Sequence, residues 1–222
     1  MFLKKILFTL SIVFFILILA VSAPVSAEET TQQKAGIILP KPQVEYSADN
    51  SLEIGGASFS QKIYYTPDRE RRDTKTDEGT QIIIIRTDRK VSWHLISDQK
   101  MYMDMNVMKG RIKMNDILSY YRIVKTPDGE EVINNIPAQK SKVAITDPRG
   151  RIYDGLMWTS KENIVLKIEA AARDNATQDR LRIELTNLHI EKQDPGLFEI
   201  PEGYAKTVIL PGSGSILKIP VK

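Results

Sequence analysis

The chain has 222 residues, no cysteine, and 31 Lys and Arg against 28 Asp and Glu, for a formal net charge of +3. The lack of cysteine excludes disulfides, thiol catalysis and a lipid-modified N-terminal cysteine together. Lys4 and Lys5 hold two of the positive charges, so the chain beyond them is nearly neutral at +1 and makes no electrostatic case for nucleic acid.

The first residues read as a targeting segment. Lys4 and Lys5 form a positive start, Ile6 to Ala20 is almost unbroken hydrocarbon, and Val25-Ser26-Ala27 has the small residues a signal peptidase requires. The earlier Val21-Ser22-Ala23 precedes Pro24, which obstructs cleavage, so cleavage is expected after Ala27. An uncleaved membrane anchor is the rival reading of the same stretch. The organisation expected is a signal peptide over 1–27, a flexible linker over 28–43, one domain over 44–206 and a C-terminal tail over 207–222. Such a chain is exported to the periplasm or cell envelope and is not an integral membrane protein once cleaved.

From Val44 onward the apolar residues recur with the period of a strand. Val44 to Ala48 and Ser51 to Ile54 alternate up to Gly55-Gly56, a turn signal, and Ala57 to Tyr65 pairs back as a hairpin. Arg69 to Lys75 is charged throughout and reads as a short edge strand or an exposed connection. Ile82 to Ile85, Val91 to Ile96 and Lys100 to Met105 form a three-stranded meander, joined by Thr87 to Lys90 and by the three-residue turn Ser97-Asp98-Gln99. Val91, Trp93 and Leu95 share one face of the second strand. Met101, Met103 and Met105 share one face of the third, about 7 Å apart. Together they suggest a broad surface of one Trp and three thioethers, a chemistry that adapts to a variable apolar partner.

Asn115-Asp116 reads as the cap of a short helix through Tyr121, and Pro127-Asp128-Gly129 as a strong turn. Glu131 to Ile136, Gln139 to Ile145, Tyr153 to Trp158 and Ile164 to Ala171 follow as strands. Their breaks fall at Asn134-Asn135, Asp147 to Gly150 and Ser160 to Asn163. Arg180 to Leu185 alternates most cleanly, and its parity slips near Asn187, where a β-bulge is expected. The sum is mainly β: about ten to eleven short strands with little helix, arranged as a strongly curved antiparallel sheet or incomplete β-barrel.

Five segments, in this order, carry a family resemblance: Lys62-Ile-Tyr-Tyr65, Arg89-Lys-Val-Ser-Trp93, Gln99-Lys-Met-Tyr-Met103, Trp158-Thr-Ser-Lys161 and Asp194-Pro-Gly-Leu-Phe-Glu-Ile-Pro-Glu-Gly-Tyr204. Over Val44 to Tyr204 the chain resembles the exported LolA-like proteins of the outer-membrane lipoprotein-sorting type, in an uncharacterised branch. The resemblance implies an incomplete, strongly curved β-barrel with a hydrophobic cavity on its concave face. It also implies a lipid or lipoprotein acyl chain as ligand. The chain departs from the carrier in that 28–43 is a poor helix, where the carrier has a helical lid.

On this reading Ile83, Ile85, Trp93, Leu95, Met101, Met103 and Met105 form the cavity wall, with ordinary core packing as the bland alternative. Copper(I) on the methionines requires thioethers closer than strand spacing gives, so no metal is expected, and no cofactor. Arg69, Arg71 and Arg72 are the candidates to meet a lipid headgroup, or else a solvated charged strand. His94 and His189, each alone in a strand, match no ligand or catalytic spacing, and the chain contains no nucleophile elbow, His-Glu-x-x-His or phosphate loop. The expected function is a non-enzymatic carrier or binding protein. The alternative is a cell-envelope sensor or interaction module with a filled core, contacting a protein partner.

Overall fold

The structure, a computed structural model, describes residues 40–54, 56–77, 79–105, 121–174, 179–209 and 216–219. The expected signal segment, most of the expected linker and the expected helix at Asn115 lie outside the described residues. The strands are β1 Tyr46–Ile54, β2 Ala57–Thr66, β3 Arg69–Thr76, β4 Gly79–Arg86, β5 Val91–Ile96, β6 Met101–Asp104, β7 Arg122–Ile133, β8 Ile136–Thr146, β9 Ile152–Ser160, β10 Val165–Ala172, β11 Arg180–Ile190, β12 Ala205–Ile209 and β13 Ile216–Ile219. They form one open, curved sheet in the order β13-β12-β6-β5-β4-β3-β2-β1-β11-β10-β9-β8-β7.

That order follows from two meanders. The chain starts in mid-sheet at β1 and steps outward to β6. It re-enters at the far edge as β7 and steps back inward until β11 pairs with β1. Residues between β11 and β12 then cross the first meander to its outer side, where β12 joins β6 as the one parallel pair. Residues 207–209 and 216–219, expected as a tail, are therefore part of the sheet. Thr207 is 1% exposed and its hydroxyl donates to the Tyr102 carbonyl over 3.1 Å, so removing this segment strips the edge of the first meander.

Turn chemistry sets the registers. Lys90 and Lys100 both lie in the left-handed region, at φ 55° and 47°. Each ends a four-residue connection, so Arg86 faces Val91 and Ile96 faces Met101. Asn134 and Asn135, at φ 49° and 65°, make the tight two-residue turn between β7 and β8. The bulge expected near Asn187 is present: the β1–β11 register shifts there, and Asn187 sits at φ 50°. Pro127-Asp128-Gly129 is not a turn. It lies within β7 as a register shift, with Gly129 at φ 102° absorbing the extra length.

β3 is not an edge. It lies between β2 and β4, although it is the most charged strand. Its charges cancel along the strand at two-residue spacing, which places both partners on one face: Arg72 with Glu70 on one side, Arg71 with Asp73 on the other. A charged strand is thus tolerated inside the sheet because its central charges are paired on each face, while Lys75 lies exposed near its end.

The second meander, β7 to β11, buries an inner face that carries Ile123, Ile145, Tyr153, Met157, Ile168 and Leu181. Lys142, Glu169 and Arg182 point the other way, and that opposite face is buried as well at Ala138 and Trp158. Following the registers through β11 and β1 carries this inner face to Ala48, Ile63, Ile85, Ile96, Met101 and Met103 in the first meander. The first meander also buries its outer face, because the crossing segment between β11 and β12 lies over it.

Candidate functional site

Registers decide which candidate residues meet. Trp93 stands opposite Ile84 and Asp104, and Leu95 opposite Ile82 and Tyr102, all on the outer face. Ile83 stands opposite His94, which stands opposite Met103, and Ile96 stands opposite Met101, all on the inner face. The single surface of Trp and methionine is therefore corrected. Trp93 and Leu95 are separated from Ile83, Ile85, Met101 and Met103 by the thickness of the sheet. The physical reason is the connection from β5 to β6. With three residues Trp93 and Met103 share a face; Lys100, held left-handed, extends it to four and reverses the parity. Met105 lies half-buried just past the end of β6.

The outer-face set has a different partner. The segment from Asp194 to Tyr204, the most family-specific phrase of the sequence, packs Phe198 onto Ile82, Ile84 and Leu95, with Leu197 and Tyr204 beside it. Asp194 accepts from the Gly196 amide at 2.8 Å and starts the 3-10 turn Pro195–Phe198. Arginines hold the turn down. Arg71 donates to the Leu197 carbonyl at 3.1 Å, and Arg86 to the Phe198 carbonyl at 3.3 Å and to Glu199. Arg69 stacks its guanidinium 5.3 Å from the Phe198 ring centre. Arg86 is 4% exposed and also grips Asp88 at 2.6 Å. Those hydrogen bonds raise the Arg86 pKa further and hold the Asp88 carboxyl down at about 2. Arg69, Arg71 and Arg72 do not converge on one point. Arg69 and Arg71 clamp the crossing segment on the outer face, while Arg72 is on the inner face with Glu70.

The inner face of the first meander is apolar at Ile63, Ile83, Ile85, Ile96, Met101 and Met103, with a polar row running through it. Asn50, Gln61, Thr74 and Gln81 stand directly opposite one another across β1 to β4. One position along, Nε2 of His94 donates to Gln81 Oε1 at 2.7 Å. Burial pushes the His94 pKa down to about 4, so the imidazole is neutral near neutral pH. Sequence reasoning passed over Asn50, Gln81 and Arg86. Each lies in phase with apolar residues of its strand, Asn50 with Ala48 and Leu52 and Arg86 with Ile82 and Ile84, and that phase was the available signal.

A cavity of about 210 Å³ opens where β1, β2, β10 and β11 meet, with Phe59, Arg182, Lys167 and Glu169 on its walls. It contains none of the expected wall residues. Among the described residues no three His, Asp or Glu side chains group in a way that holds a metal ion, and no helix is long and apolar enough to cross a membrane.

No family model matches the chain, and no curated protein does. Solved structures do. An uncharacterised conserved protein from Thermus thermophilus superposes with a TM-score of 0.51 at 10% identity, covering 74% of this chain and 90% of that one. MucB, solved in complex with MucA(peri), gives a TM-score of 0.46 at 15% identity; the match spans 72% of this chain but only 56% of the MucB chain. A putative outer membrane lipoprotein-sorting protein domain from Vibrio parahaemolyticus gives 0.33 at 10% identity, over 71% of this chain and 90% of that one. At these identities the likeness concerns the fold alone. The open, curved, almost wholly antiparallel sheet is a fold this chain shares with the Thermus thermophilus protein.

Proposed function

We propose that this is an exported, non-enzymatic binding protein that takes an apolar ligand, a lipid or lipoprotein acyl chain, on the inner face of its sheet. The observation that carries this reading is the continuity of that face. One apolar surface runs from Met101 and Met103 at one side of the sheet to Ile123 at the other, broken by a neutral polar row and one mutually neutralised ion pair. An extended apolar face of this kind suits a long hydrocarbon chain, and the adaptable thioethers suit chains of varied shape. The wall residues in this proposal are Ile83, Ile85, Met101 and Met103, with Met105 past the end of β6. Trp93 and Leu95 serve the clamp on the other face.

Opposite faces give the test. Ile83→Asn places an amide on the inner face at a half-buried position, whereas Trp93→Leu alters only the outer face. Displacement of Nile red by dodecanamide is expected to weaken at least tenfold in Ile83→Asn and to stay within twofold of wild type in Trp93→Leu. The reverse pattern, or equal loss in both, overturns the assignment of the ligand to the inner face.

A second reading, contact with a cell-envelope protein, is favoured by β13. Among the described residues it lies at one end of the sheet and pairs only with β12, so its other edge offers backbone groups for strand addition.

A further inference from the structure

Packing alone does not account for Asn50 in a dry core. It is 7% exposed, it lies on the inner face between Ala48 and Leu52, and its Oδ1 has no hydrogen-bond partner among the described residues. A buried acceptor left unmet is costly, so such groups in folded proteins call for an explanation. The residues facing it across the sheet are of one kind. Gln61 stands directly opposite in β2, then Thr74 in β3 and Gln81 in β4. These four positions span three strand spacings, roughly 14 Å. Every member is uncharged. The nearest charges on the same face, Arg72 and Glu70 in β3, are bonded to each other. Flanking the row are Ala48, Ile63 and Ile83 on one side and Leu52 on the other.

We propose that the row Asn50–Gln61–Thr74–Gln81 is a binding site for the polar end of an uncharged, acyl-bearing ligand, and that Asn50 Oδ1 accepts from an N–H or O–H at that end. The inference rests on the reading that the inner face takes an apolar ligand, and it adds the ligand's chemistry. The hydrocarbon follows the apolar rows beside Asn50, while the amides and the Thr74 hydroxyl meet the junction where the chain turns polar. A carboxylate or phosphate is disfavoured, because the row supplies no net positive charge to replace the water it displaces. His94 fits the same chemistry: as a neutral donor to Gln81 Oε1, it occupies that acceptor and turns the Gln81 amide N–H groups toward other partners. Donors of two origins satisfy Asn50, an amide-linked acyl chain or a hydroxyl-bearing one.

Three probes with the same chain length separate the possibilities: dodecanamide, 1-dodecanol and methyl dodecanoate, which lacks a donor. Each competes with Nile red for the full chain as purified. Wild type is expected to bind dodecanamide, dodecanol or both about tenfold more tightly than the ester, the worth of one good buried hydrogen bond. Selection of one donor over the other assigns the origin. Asn50→Leu is expected to erase the preference, and to raise the Tm of the ligand-free protein by about 2–4 °C, since it removes an unmet acceptor. Equal affinity for all three probes in wild type overturns the proposal and leaves the apolar-ligand reading standing. A preference that survives in Asn50→Leu, or a Tm that falls, shows a structural asparagine and likewise overturns it. If Asn50→Leu does not fold, Gln61→Leu takes its place at the half-buried neighbouring position, and an unchanged preference there is equally fatal. No displacement by any of the three probes removes the apolar-ligand reading itself.

Discussion

The environment of His94 makes a quantitative prediction about pH. The imidazole lies on the inner face between Ile83 of β4 and Met103 of β6, with Arg72 one strand further away and already bonded to Glu70. Burial takes its pKa from 6.5 down to about 4. Between those values the unfolded chain holds a proton that the folded chain refuses, so stability falls as pH falls through this window and levels off below about 4. At about 1.4 kcal/mol per pH unit, the full effect is up to about 3 kcal/mol. The assay is urea unfolding at pH 7.5, 5.5 and 4.5 for wild type and His94→Gln, a variant that keeps a donor for Gln81 but does not titrate. The stability difference between the two is expected to narrow or reverse in favour of the variant by about 2–3 kcal/mol over that range. Parallel curves for wild type and His94→Gln refute the claim that the imidazole is held in an apolar site.

Other outcomes follow from the same geometry. Phe198→Ala empties the site between the crossing segment and Ile82, Ile84 and Leu95; a loss of about 3–5 kcal/mol in chemical unfolding is expected, and a loss below 1 kcal/mol contradicts the clamp. Gly155→Ala places a Cβ inside the contact distance of the Glu169 carbonyl oxygen and 2.5 Å from Ala170 Cα, so β9 and β10 must separate locally; a marked fall in Tm or in soluble yield is expected. Asn135→Gly suits the second position of the two-residue turn at φ 65° and is expected to raise stability by about 0.5 kcal/mol, read as a higher urea midpoint with unchanged slope.

Period-two alternation and turn residues were enough to read the fold class and nearly every strand of the two meanders, down to the bulge at Asn187. What alternation cannot supply is relative parity between neighbouring strands. That depends on whether one connecting residue belongs to a strand or to a turn, and Lys100 decided it against the combined Trp and methionine surface. The charged strand β3 was misplaced for a related reason. Composition reports charge but not pairing, and Arg72–Glu70 and Arg71–Asp73 cancel within one strand. The crossing segment was legible as a motif yet mute as to role, because its partners Arg71 and Arg86 lie more than a hundred residues away in sequence. Asn50 and Arg86 were visible as polar residues in phase with apolar ones. Such positions warrant the closest reading, since burial makes them either bonded or waiting for a bond.

The claim at the centre of this account is that the inner face holds an apolar ligand. Native mass spectrometry on protein purified gently from an exporting host tests it most directly, with wild type and Ile83→Asn in parallel. The account predicts a retained adduct of lipid mass on wild type that disappears in organic solvent and is absent from Ile83→Asn. A bare polypeptide mass for wild type that stays bare after incubation with dodecanamide and 1-dodecanol contradicts it.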